Sequence, residues 1–315
     1  LIMTTYKEIN GTNIEAVASD PSNPVDGQVW YNTTTNVVKA NTINPGSWAT
    51  GNSMNTARGY LAGAGTQTSA LAFGGNSGAG ATNATESYNG TNWTAVNNLN
   101  TSKQQLAGAG ANNTAALAFG GGPGTSALTE TWNGTNWTEV NDLNTARKYL
   151  AGCGTSTAAL AFGGNGPSAL TELWNGTNWT EVNDLNTARY ELAGAGTNTA
   201  ALAFGGNPNL AITELWNGTN WTEVNDLNTA RQKLAGCGTS TAALAFGGQP
   251  STGATETWNG TNWTELNDLN TARYAFGGAG TNTSALAFGG DVSGPYTAAT
   301  EEWNQGPSTV TFDVS

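Results

Sequence analysis

Histidine is missing altogether from the 315 residues, which excludes imidazole-held copper, most zinc sites and any catalytic triad built on histidine. Cysteine is nearly missing: Cys153 and Cys237 are too few for a disulfide framework. Charge is scarce at 10% of residues, and it leans one way, ten basic against 22 acidic side chains for a net −12. Such a surface repels phosphate backbones and anionic lipid, so neither nucleic acid nor a membrane is an expected partner. No run of 18 apolar residues occurs and the opening LIMTTYKEINGTNIEAVASD has no apolar core, so no membrane span and no signal peptide are expected.

What is present is glycine, 43 of them, and repetition. The stretch NGTNWTEVNDLNTAR at 133–147 returns letter for letter at 175–189 and 217–231, and at 259–273 with Leu266 replacing valine. Gly-Gly pairs at 74–75, 120–121, 163–164, 205–206, 247–248 and 289–290 settle to a 42-residue spacing, the length of a four-stranded propeller blade. Within the unit opening at Arg147, KYLAGCG, TAALAFGG, ALTELWN and NWTEV each read as a short strand. In the second, Leu160 and Phe162 alternate with Ala159 and Ala161. The Gly/Ala-rich first strand suits a crowded innermost position. A GG, an NG and an AGCG in each repeat exclude a helical solenoid. In WNGTNW, Asn133-Gly134 is expected to supply the positive φ angles of a tight hairpin, with Trp132 and Trp137 as a cross-strand pair.

The diglycine after an apolar strand, the paired aromatics (Trp174 and Trp179) and the basic residue opening each unit resemble a kelch repeat. The resemblance covers 46–306 and implies an all-β, six-bladed, galactose-oxidase-like β-propeller with four-stranded blades. The turn between the aromatics is shorter than in most kelch units. Without histidine the copper-binding branch of that resemblance does not carry over. Counting strands leaves Trp303 without a following partner unless Trp48 supplies it, so the GSWAT stretch, Ser47–Thr50 and its neighbours, is expected to close the ring against Thr300–Asn304. The tail 307–315, with Val310, Phe312 and Val314 alternating, is the rival for that place. Residues 1–45 form a separate segment, reading as a β-hairpin; its DPSNPVDGQVWYNTTTNVVKA resembles a module near the start of phage tail and other virion proteins.

Chemistry is thin. Cys153 and Cys237 stand where other units have Ala64, Ala109, Ala195 and Ala279, so they read as small buried residues, unpaired with each other. Glu86, Glu130, Glu172, Glu214, Glu256 and Glu301 recur at one repeat position, whereas a glycosidase needs one unique pair. The basic residues from Arg58 to Arg273 are expected to pair with acidic neighbours across blades. The tryptophans read as packing between blades, with room for partial exposure at the outer edge. No catalytic residue, metal site or cofactor is assigned, although Ca²⁺ among Asp and Asn side chains stays open.

Copies this similar make their differences informative. The segments after each diglycine and the two residues after each basic residue vary, and in an up-and-down blade both emerge on one face. That rim carries Tyr60, Gln104, Gln105, Lys148, Tyr149, Tyr190, Glu191, Gln232, Lys233, Tyr274 and Tyr296, a tyrosine-and-amide chemistry suited to recognition. Tolerant drift at exposed positions would leave the same pattern. The sequence therefore reads as a non-enzymatic structural and binding protein of a virus particle, a phage tail or fibre component released by lysis. Its residues 1–45 would hold it to other virion proteins, and its rim would meet a host-surface glycan or protein; a homo-oligomer is compatible with this. The alternatives are a cytoplasmic kelch-type adaptor for a protein partner and a polysaccharide-cleaving enzyme acting at the channel mouth.

Overall fold

The computed structural model describes residues 14–21, 28–43 and 45–312. Pro24 and Gly27 of the amino-terminal motif, and Val314 of the tail, lie outside the described residues. Among the described residues there is no helix; 28 strands assemble into seven four-stranded sheets, as in a β-propeller. Two compact units separate, Gly46–Asn304 and a smaller one drawn from Leu1–Pro45 and Gln305–Ser315.

Six sheets make up Gly46–Asn304. The third is typical: Ala151–Gly154, Ala159–Phe162, Thr171–Trp174 and Trp179–Val182 pair antiparallel in chain order. The first strands of the six sheets are Ala62–Thr66, Ala107–Asn112, Ala151–Gly154, Ala193–Gly196, Ala235–Gly238 and Gly277–Gly280. Each lies beside the next, and Gly277–Gly280 also lies beside Ala62–Thr66. In the sixth sheet the fourth strand is Ser47–Gly51, which pairs with Thr300–Asn304 in a register that sets Trp48 opposite Trp303.

Alternation in the strands decides how sheets stack. Leu160 and Phe162 of the third sheet pack with Ala201 and Ala203 of the fourth, while Ala159 and Ala161 receive Leu117 and Phe119 of the second. A large face therefore always meets a small one, and all of these side chains are fully buried. The glycines of the first strands belong to the same fit. A Cβ on Gly194 would stand 2.5 Å from Phe162 Cζ, and one on Gly152 would stand 2.4 Å from Phe119 Cζ.

Tryptophan closes the outer side of each interface. The Trp221 ring sits 5.1 Å from Phe162 of the preceding sheet, and its indole N–H donates to Thr171 Oγ1 at 3.0 Å. These outer tryptophans pack between neighbouring sheets, as the sequence suggests, and are about as buried as the core at 5–6% exposed, so the outer edge leaves them no partial exposure. The reason is that a hydroxyl of the neighbouring sheet satisfies the indole N–H, so the ring needs no water. The hairpin expectation is also adjusted. Trp132 and Trp137 do pair, but the loop has four residues, and only Gly134 takes a positive φ. Asn133 instead accepts hydrogen bonds on Oδ1 from the backbone of Thr135 and Asn136, both 2.9 Å.

The repeated cation and carboxylate pair within a sheet, not across blades. Arg189 leads into the fourth sheet and Glu214 lies on that sheet's third strand; Nη1 and Oε1 are 2.6 Å apart and both side chains are fully buried. The guanidinium also donates to Ala203 O of the same sheet at 3.1 Å, which fixes it there. Glu214 reaches further: its Oε2 accepts from the backbone N (2.7 Å) and Nδ2 (2.8 Å) of Asn186, in the crossover arriving from the third sheet. Each buried carboxylate thus fastens the incoming chain, a reason for the recurring NTAR segment.

The smaller unit holds one sheet. Val29–Asn32 pairs antiparallel with Val37–Ile43 as the expected hairpin, and Glu15–Val17 joins in parallel on one side. Pro307–Phe312 joins antiparallel to Val37–Ile43, so the tail does not compete for the place beside Trp303. Asp20 ties the hairpin together: Oδ1 accepts from Trp30 Nε1 (3.0 Å) and Asn32 Nδ2 (2.7 Å), and Oδ2 accepts from Lys39 Nζ (2.6 Å). Asp20, Trp30, Asn32 and Lys39 of the DPSNPVDGQVWYNTTTNVVKA stretch are therefore partners in one internal network.

Candidate binding face at the channel mouth

Two residues after each buried cation, the chain adopts a left-handed backbone at Tyr60, Gln105, Tyr149, Glu191, Lys233 and Ala275, with φ between 53° and 60°. None is glycine, so each carries a conformational cost. A set of backbone hydrogen bonds offsets it. Gln105 N donates to Tyr60 O, Tyr149 to Gln105, Glu191 to Tyr149, Lys233 to Glu191, Ala275 to Lys233 and Tyr60 to Ala275, at 2.6–2.9 Å, so that the series returns to its start. With the carbonyl and N–H of every member used this way, the side chains are free to vary, and they do.

These six residues, with Leu61, Leu106, Leu150, Leu192, Leu234 and Phe276 beneath them, line the mouth of a passage. The passage continues between the Gly/Ala first strands of all six sheets. Tyr60 forms edge contacts with Tyr149 (6.1 Å) and Tyr296 (6.5 Å), and Tyr149 is 6.0 Å from Tyr190. Lys233 Nζ lies 3.7 Å from Glu191 Oε1, 5.9 Å above the Tyr60 ring and 5.6 Å above Tyr274. Lys148 Nζ stands 5.6 Å from the Tyr149 ring. Burial pushes the phenols of Tyr60 and Tyr149 up to about 12, with nearby Glu191 adding to both. Burial also raises Glu191, against the pull of Lys233.

The two variable sets meet. The first residue after the cation bridges the first residue after the diglycine: Gln104 with Gly122, Tyr190 with Asn207, Gln232 with Gln249, Tyr274 with Asp291. Asn76 Nδ2 donates to Gln104 Oε1 at 2.7 Å, and Asn207 Nδ2 donates to Gln232 Oε1. All eleven residues singled out from the sequence are half-buried. Tyr60, Gln105, Tyr149, Glu191 and Lys233 ring the mouth, while Gln232 and Tyr274 line a recess to one side with Asn209, Gln249, Pro250, Ser251 and Ser293. Sequence reasoning singled out the loops bearing those last five but not the residues; Asn209, Ser251 and Ser293 stand 42 positions apart, a periodicity that could have found them. Ala275, the sixth member of the backbone series, offered no side-chain signal.

Cys153 and Cys237 are free and buried, and burial raises both thiols, Cys153 to about 12. Among the described residues no group of three or more His, Cys, Asp or Glu is placed to hold a metal ion.

Comparison with known proteins speaks to the fold. The chain is similar to a solved structure titled "Structure of YjhT", at a TM-score of 0.65 and 12% identity, over 83% of this chain and 99% of that one. No family model and no curated protein matches the chain. At that identity the structural likeness supports a β-propeller architecture.

Proposed function

We propose that Gly46–Asn304 is a single closed propeller of six kelch-type blades, with Ser47–Gly51 as the outer strand of the sixth, and that it works by binding rather than catalysis. The observation that carries the reading is the convergence of copy-to-copy differences on one face, around a mouth of tyrosines, amides and a lysine–glutamate pair. Elsewhere the copies are held to one sequence by interlocking Phe, Gly, Trp and Arg–Glu contacts, so a face free to vary is where selection for a ligand can act. Support for a non-catalytic role comes from the carboxylates: those at the shared repeat position are buried in ion pairs, and Glu191 is the acid in the mouth lining.

On this reading the chain belongs to a virus particle, as a tail or fibre component meeting a host surface, with residues 1–45 as its attachment to other virion proteins. That assignment rests on the amino-terminal resemblance. Mass spectrometry of purified particles tests it, and absence of the chain would overturn it. The binding reading is tested separately: Tyr149→Ala with Tyr190→Ala should weaken adsorption of the purified chain to its target cells at least about tenfold, with the unfolding temperature kept. A cytoplasmic adaptor reading would instead be favoured by recovery of one protein partner through the same face.

A further inference from the structure

We propose that the recess beside the mouth, between the variable loops of the fourth, fifth and sixth sheets, binds an uncharged sugar; this rests on the variable face being the binding face. Gln232 and Tyr274 come from crossovers, and Asn209, Gln249, Ser251 and Ser293 from loops that follow the diglycines. Every one of these is at a position where the copies differ. In a chain that otherwise repeats itself to the letter, a recess lined wholly by departures from the repeat is a local specialisation.

The lining chemistry names the ligand class. It offers amides, hydroxyls and one aromatic ring, and no charged side chain. Asn209, Ser251 and Ser293 are exposed at the edge, with Gln232, Gln249 and Tyr274 half-buried behind them. Within Gly46–Asn304 the cations outside the buried pairs are Lys148 and Lys233. Lys233 is already engaged, its Nζ donating to Gln249 Oε1 at 2.8 Å while it faces Glu191. An anion would therefore find no uncommitted cation at the recess, and the −12 chain would repel it. Because an ammonium can only donate, Lys233 also fixes the Gln249 amide, leaving its NH₂ as the group to offer outward. The glutamine NH₂ groups that donate, with the Asn209 amide and the Ser251 and Ser293 hydroxyls that both donate and accept, beside a phenol ring with an apolar face, match a pyranose, whose hydroxyls ring an apolar CH surface.

The test uses the full chain with the methyl glycosides of glucose, galactose, mannose and N-acetylglucosamine, and with glucuronate and glucosamine as charged counterparts, read by saturation-transfer NMR and titration. At least one neutral glycoside should bind with a Kd on the order of 1 mM. Tyr274→Ala should weaken it at least about tenfold, and Gln249→Ala about three- to tenfold. Ser251→Trp, an exposed position that leaves the core intact, should block the recess outright. Thr138→Ala, exposed on the outer strand Trp137–Val140 and away from the variable face, should leave this binding unchanged. Binding lost with Tyr149→Ala but kept in Ser251→Trp would overturn the recess and spare the face, as would tighter binding of glucuronate. If no neutral sugar binds while rim variants still abolish adsorption, the sugar is refuted and the binding face stands. If neither sugar binding nor adsorption responds to any variable-face substitution, both readings fall.

Discussion

The second sheet contains a natural experiment in ion-pair design that can be run backwards. Five of the six buried cations are arginine, and the second sheet has Lys103. Arg147 in the third sheet donates to Gly163 O (3.0 Å), Leu170 O (2.6 Å) and Glu172 Oε1 (2.9 Å). Lys103 Nζ donates to Leu128 O at 2.9 Å and lies 3.4 Å from Glu130 Oε1, which is left without a hydrogen-bond partner. A point-like ammonium cannot span acceptors that a planar fork reaches together. Lys103→Arg would restore bonds to Gly120 O and Glu130 Oε1, at about 0.5–1.5 kcal/mol net each. Against this stands an Nε with no acceptor, as Arg147 already has, at a cost of about 1 kcal/mol. The net expectation is a gain of about 1 kcal/mol, which at this size raises the unfolding temperature by about 1.5–2 °C. Circular dichroism melts of the wild type, Lys103→Arg and the reverse change Arg147→Lys would measure it, with the last expected to lose stability. A Lys103→Arg chain no more stable than wild type, together with an unaffected Arg147→Lys chain, would refute the reasoning that fork geometry decides these positions.

Gly194→Ala should destabilise by about 1–2 kcal/mol through overpacking, because the new methyl would meet Phe162, even though strand propensity alone favours alanine over glycine. Gly294→Ala, with nothing nearby, is the control in the same urea titration; equal effects at both sites would count against the ring-on-glycine fit. Tyr60 and Tyr149 ionise near pH 12 in the folded chain. Their folded values lie above the unfolded 10.0, so their stabilisation is present below pH 10 and fades as pH climbs to 12. Ultraviolet titration of the native protein should show a late phase that shrinks in Tyr60→Phe; loss of no amplitude there would contradict the burial. Asp20, held down to about 2 chiefly by the Lys39 hydrogen bond, lies below its usual 3.8. Its contribution is thus present above pH 3.8 and is lost as pH falls through 2. The Trp30 indole N–H resonance should hold its position to that pH in wild type but be displaced already at neutral pH in Asp20→Asn.

The parts of this molecule that could be read from letters are those where one residue type has one physical use. Gly163-Gly164 takes φ values of +71° and +132°, and Gly164 N donates to Arg189 O of the next sheet at 3.0 Å; two glycines after an apolar strand announce such a backbone approach. The Trp174–Trp179 pair and the alternation of Leu160 and Phe162 with alanines were legible for the same reason. What stayed hidden depends on reach and direction. A basic residue at the head of a unit and a glutamate 25 positions later give no indication whether they meet in one sheet or across two. It is a carbonyl of the same sheet, Ala203 O, accepting from Arg189 at 3.1 Å, that settles the pairing. The rim was visible as variation, yet variation does not reveal that six non-glycine residues share a left-handed turn, since that conformation is fixed by hydrogen bonds between backbones, to which side-chain identity is indifferent. That indifference is what makes the face usable: the scaffold's cost is met by the main chain, so Tyr60, Gln105, Tyr149, Glu191 and Lys233 can be exchanged for other side chains without disturbing the sheets beneath them, and a new ligand can be met by changing the rim alone.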